Sequence, residues 1–111
     1  MLAHDGDHSG ALAAFQAGLV LAPNDGTLLC EAGLQAHRAG DLDLARDLLT
    51  RGVVRAALPS TEGACLYNLG RLLEVRGDVA GAREAYERSL AVRPNEWSVR
   101  GSQVSPRLRR I

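Results

Sequence analysis

The chain has 111 residues, enough for one domain and too few for two. Apolar residues make up 46% and charged residues 23%, and the formal net charge is zero. That balance excludes global disorder and argues against a dedicated nucleic-acid binder, which needs a basic face. Aromatics are only 4%, while Ala, Leu and Gly are abundant. Closely packed helices suit that composition better than a β-sandwich, which draws on β-branched and aromatic residues. All thirteen basic residues are Arg, which reads as codon bias more than as an anion-binding device.

The start of the chain, MLAHDGDHSG, lacks the basic segment and apolar core of a secretory signal. No apolar run approaches the ~18 residues of a membrane span. His4, Asp5, Asp7 and His8 include suitable ligands for a divalent metal. Asp7 has a sufficient structural role, however, as the cap of a helix from about His8 to Ala22. The apolar stripe of that helix includes Ala11, Leu12, Ala14, Phe15 and Leu19. Pro23-Asn24-Asp25-Gly26 then forms a turn. The five residues before Gly6 are too short to supply a partner helix, so the helix at 8–22 exposes an apolar face that a second copy can cover.

A helix over about Thr27–Arg38 carries Leu29, Ala32, Gly33 and Ala36, and a helix over about Leu42–Ala56 carries Ala45, Leu48, Leu49 and Val53. The next turn is Leu58-Pro59-Ser60-Thr61, with Ser60 or Thr61 as the cap of the helix that follows. That helix carries Leu66, Leu69, Gly70 and Leu73. The last one carries Val79, Ala82, Tyr86, Ser89 and Leu90. Asp47–Arg51, Arg83–Glu87 and Glu84–Arg88 are spaced as i,i+4 pairs. After Asn95 the pattern fails. Residues 96–111 form a basic tail with Arg100, Arg107, Arg109 and Arg110, read as solvated, with a short helix near Trp97.

The helices follow one period. Gly-Asp pairs stand at Gly6-Asp7, Gly40-Asp41 and Gly77-Asp78, at separations of 34 and 37. Ala11, Ala45 and Ala82 share those separations, as do Phe15, Leu49 and Tyr86, and also Gly18, Gly52 and Ser89. Several residue classes on one period mark an internal repeat. The domain is 1–95, with a half repeat at 6–25 and full repeats at 26–59 and 61–95.

On these residues the chain resembles the tetratricopeptide repeat (TPR) family, whose unit is a 34-residue helix–turn–helix. In the last unit Leu66 stands for the usual Trp, Leu69-Gly70, Ala82 and Tyr86 match, Ser89 replaces an Ala, and Pro94 closes the unit. The resemblance implies an all-α fold: a right-handed α-α superhelical solenoid of antiparallel helix pairs, about two and a half repeats long. It also implies a scaffold whose first helices line a concave surface for a peptide or a partner helix. Carried over by register, that surface comprises Thr27, Cys30, Leu34 and His37, then Ala64, Tyr67, Asn68, Arg71 and Glu74. The family's chaperone-tail clamp wants polar or basic groups where Cys30 and Leu34 stand.

The expected function is therefore protein–protein interaction, without catalysis, cofactor or metal. No Ser sits in a nucleophile elbow, and the glycines follow the repeat instead of a phosphate loop. Protein or peptide partners are expected, and neither nucleic acid nor membrane. The alternatives are the TPR portion of a larger enzyme, transferase-type for example, and self-association through the helix at 8–22. Two cysteines allow a disulfide on count alone, but Cys30 and Cys65 read better as buried free thiols in a reducing, cytoplasmic setting.

Overall fold

The computed structural model describes residues 7–92. These form five helices, α1 (His8–Leu21), α2 (Gly26–Arg38), α3 (Leu42–Arg55), α4 (Pro59–Val75) and α5 (Val79–Val92), with no strand among the described residues. The chain divides into two compact units, Met1–Ala57 with α1 to α3 and Leu58–Ile111 with α4 and α5. In the first unit α1 packs on α2 and α2 on α3; in the second α4 packs on α5.

Helix boundaries follow from the Gly-Asp pairs. Gly40 and Gly77 have φ of +92° and +84°, the left-handed region that an L side chain resists. Each lets the chain turn back, so that Asp41 N–H donates to the Ala36 carbonyl and Asp78 N–H to that of Leu73, both at 2.9 Å. The same aspartates then start the next helix. Asp41 accepts from Leu44 N–H at 3.2 Å and Asp78 from Gly81 N–H at 2.9 Å. Asp7 and Asp25 do likewise with Gly10 and Leu28, at 2.8 and 3.0 Å. Four helices thus share one capping device, each cap satisfying a backbone donor that the helix leaves open.

The fifth departs from it. Ser60 and Thr61 do not cap α4, and the segment 58–61 is no extended turn. Leu58 is the N-cap with no side-chain bond, and Pro59 is the first helical residue. Proline has the helical φ built in and loses no bond there, since that N–H would be unpaired anyway. The lengthened repeat therefore adds a turn of helix: α4 has 17 residues where α2 has 13.

Leu29, Ala32 and Ala36 of α2 meet Ala45, Leu48, Leu49 and Val53 of α3, all buried. Leu66, Leu69, Leu72 and Leu73 of α4 are buried with Ala82, Ala85 and Tyr86 of α5. Val79, expected inside, is 43% exposed, because it lies at the first turn of α5 beside the Gly77 bend. Two glycines act as sockets. A Cβ on Gly33 would stand 2.6 Å from Leu49 Cγ, and one on Gly70 would stand 2.7 Å from Tyr86 Cε1. Gly26 meets backbone, its Cβ position lying 2.5 Å from the Arg55 carbonyl oxygen. Ser89 is fully buried and donates its hydroxyl proton to the Gly63 carbonyl at 2.7 Å, so its polar group is satisfied inside the core.

α1 differs. None of its residues is buried, and it is held to α2 partly by a 3.0 Å hydrogen bond between His8 Nδ1 and Gln35 Oε1. On the surface the pairs Asp47–Arg51 and Arg83–Glu87 form at 3.0 and 3.1 Å. The expected Glu84–Arg88 pair is not made among the described residues. The cysteines require a larger correction. Both are buried, at 8% and 0% exposure, but neither Cys30 nor Cys65 is a free thiol. Both are disulfide-bonded. Disulfides depend on Cβ geometry that residue counting cannot supply, and they are rare in reducing compartments. The thiol argument for a cytoplasmic setting therefore falls away. No helix among the described residues is long and apolar enough to cross a membrane.

Candidate interaction surface

The side of α4 opposite its leucines is wet. Positions 64, 68, 71 and 75 fall within a ~60° arc of the helix surface, given about 100° per residue. Ala64, Arg71 and Val75 are exposed there and Asn68 is half-buried. The result is a narrow strip with a methyl group, an amide, a guanidinium and an apolar end. Arg71 can donate to a carboxylate or to main-chain carbonyls, and Asn68 can both donate and accept. Val75, at 63% exposure, was not among the residues carried over from the family. Its i+4 spacing from Arg71 was the available signal.

Tyr67 and Glu74 lie beside this strip, half-buried, and both meet Tyr86 of α5. The Tyr86 hydroxyl donates to Glu74 Oε1 at 2.8 Å. The rings of Tyr67 and Tyr86 approach to 5.8 Å between centroids, tilted by 46°, a favourable offset for aromatic pairs. Burial, then the hydrogen bond to Glu74 and its negative charge, push the Tyr86 hydroxyl well above the ordinary tyrosine value, and Arg71 acts weakly in the opposite sense. Tyr67 and Glu74 are thus half-buried members of a polar rim, oriented by Tyr86 from below.

On α2 the corresponding arc holds Thr27, Glu31, Leu34 and Arg38. Thr27, Glu31 and Arg38 are exposed, and Leu34 is half-buried. Glu31 and Arg38 were absent from the carried-over set, yet they continue the same i, i+4, i+7 spacing. His37 is half-buried at the margin of the arc. Cys30, also marginal, is buried and disulfide-bonded, and offers a partner little surface. Of the nine residues carried over, Thr27, Ala64 and Arg71 are fully wet and five are half-buried.

Of the residues weighed for a metal, His4 and Asp5 lie outside the described residues. Asp7 is occupied as the α1 cap and His8 is bonded to Gln35. The tail arginines and Trp97 also lie outside the described residues. Among the described residues no group of three or more His, Cys, Asp or Glu side chains could hold a metal ion.

Residues 63–96 match the family model for the tetratricopeptide repeat. The match begins at Gly63, takes in the glycine socket at Gly70, and runs through α5. No curated protein matches the chain significantly.

Proposed function

We propose, on the tetratricopeptide repeat matched at residues 63–96, that the chain is a non-catalytic adaptor. It binds an extended peptide or a partner helix along the wet arc of α4, a helix whose counterparts line the concave surface in the family. The observation that carries this reading is the strip Ala64–Asn68–Arg71–Val75, a wet face of mixed chemistry standing back to back with a buried leucine stripe. A preformed helical face loses little conformational freedom on binding. The guanidinium of Arg71 favours an acidic or carboxylate-bearing partner segment.

Ala64→Glu with Arg71→Glu tests the proposal, because both side chains are exposed and the double variant keeps the core. Affinity capture followed by quantitative mass spectrometry should show partners held by the wild-type chain and lost by the variant. Equal recovery by both, with circular dichroism unchanged, removes this face as the binding site.

A further inference from the structure

Tyr86 spans the contact between α5 and α4 and reaches the rim of α4. Its ring lies in the socket of Gly70, whose Cβ position is 2.7 Å from Cε1 and 3.1 Å from Cζ. The missing methyl group lets the phenol pass, and its hydroxyl donates to Glu74 Oε1 at 2.8 Å. Tyr67, Arg71 and Glu74 stand at i, i+4 and i+7, within a ~60° arc of α4. The Tyr67 ring is 5.8 Å from that of Tyr86, and Arg71 is near enough to act on the same hydroxyl. One buried side chain of α5 thus addresses three rim residues of α4.

A buried phenol needs an acceptor. A backbone carbonyl would serve, as that of Gly63 does for Ser89, but here the acceptor is a carboxylate on the rim. Arg71 and Glu74 are three residues apart, a spacing at which opposite charges on a helix can meet. Asp47–Arg51 and Arg83–Glu87 do meet, at the related i,i+4 spacing. Among the described residues Arg71 and Glu74 form no such pair. The Tyr86 hydroxyl holds the carboxylate on its own side, while Arg71 stays exposed. Glu74 Oε2 is then left for another donor. Guanidinium and carboxylate stand as two separate charges, about 5–6 Å apart at Cβ.

We propose that Tyr86 is a positioning residue of the α4 face, and that the Arg71–Glu74 couple it keeps open selects a partner segment of mixed charge. Such a segment carries a carboxylate for Arg71 and, about two to four residues along, a Lys or Arg for Glu74. Side chains on one face recur every two residues in an extended segment and every three or four in a helix. A wholly acidic segment meets repulsion at Glu74 and a wholly basic one at Arg71. Because Tyr86 already orders Glu74, binding does not have to. This selectivity rests on the α4 face being the binding surface, and it adds the basic half of the partner.

A phage-displayed library of random dodecapeptides, selected on the full chain, supplies the probes. The recovered sequences are synthesised with a fluorescent label and titrated by anisotropy. They should carry Asp or Glu with Lys or Arg at the stated spacing. Replacing that base with Ala should weaken binding to the wild-type chain about threefold or more. The same replacement should cost less than about twofold against Tyr86→Phe, which keeps the ring in its socket, and against Glu74→Gln. A variant that merely lost structure would bind both peptides more weakly, whereas a lost position weakens only the peptide with the base. Recovered peptides without a base overturn the proposal, as does an undiminished cost of base removal in Tyr86→Phe. In both cases the α4 face itself stands if Arg71→Glu abolishes binding. Peptides indifferent to Arg71→Glu, or a library that yields no binder, remove the face and its selectivity together.

Discussion

Gly70 shows how one missing atom organises a hairpin. Its Cβ would stand 2.7 Å from Tyr86 Cε1 and 2.8 Å from Cδ1, distances that real Cβ atoms do not adopt. Gly70→Ala gains about 1 kcal/mol of helix propensity, but overpacking a buried ring costs about 1–3 kcal/mol. The ring is only 1% exposed and has little room to yield, so the variant should lose about 1 kcal/mol of stability in urea denaturation. The sequence shows that small and large residues alternate on one period, which suggested close approach of backbones; that a glycine receives a ring is a three-dimensional fact. The Tyr86–Glu74 bond was likewise hidden, because the two residues are twelve apart on different helices. Burial of the Tyr86 hydroxyl, and then this bond, carry a pH signature. Folding raises the Tyr86 pKa above its ordinary value of 10.0, so its contribution to stability is fully present below about pH 10 and declines as pH rises above it. Wild-type stability, measured between pH 8 and 11, should therefore fall more steeply above pH 10 than that of Tyr86→Phe. Parallel curves would show that the hydroxyl is not held by folding.

Among the helices, the most legible ends were those with a Gly-Asp pair, where both neighbours declare themselves: glycine for the left-handed turn, aspartate for the cap. The start of α4 was misread because Ser60 and Thr61 are good caps in isolation, while Pro59 is a better first helical residue. Inside a helix, Ser and Thr are tolerated when neighbouring packing decides the boundary. α1 was read correctly as a helix from its cap and spacing, yet its stripe is not buried, since burial depends on a covering element and not on the helix alone. Local stability should follow. With no buried residue and, among the described residues, a single packed neighbour, α1 opens at little cost, whereas α2–α3 and α4–α5 open only with their cores. Hydrogen exchange followed by mass spectrometry should show the amides of α1 exchanging well before those of α3 and α5. Protection of α1 equal to that of α3 would mean its stripe is covered in solution, and a repeat of the measurement with Ala14→Glu would locate the cover.

For the molecule as a whole, the repeat period carried most of the fold, because it relates burial, caps and turns at once. It carried less of the candidate surface. Register alone placed Ala64, Asn68 and Arg71 on the wet side of α4 and Thr27 on that of α2, but it could not show that Glu74 is held by Tyr86, or that Glu31, Arg38 and Val75 belong to the exposed arcs. It also misjudged Cys30 and Cys65, whose oxidation state turns on geometry and not on count or spacing. Both are buried as well as disulfide-bonded, and the two properties make a joint prediction. The chain unfolded in guanidinium without reductant should release no reactive thiol to a chromogenic disulfide reagent, and prior reduction should release both. The reduced, alkylated chain should unfold at lower denaturant, by the ~2–4 kcal/mol that a native disulfide commonly contributes. If the thiols of freshly unfolded, unreduced protein titrate fully, the cysteines are free and the reducing-compartment reading returns. If none titrates, both cysteines are oxidised in the folded chain, the state that a reducing compartment rarely preserves.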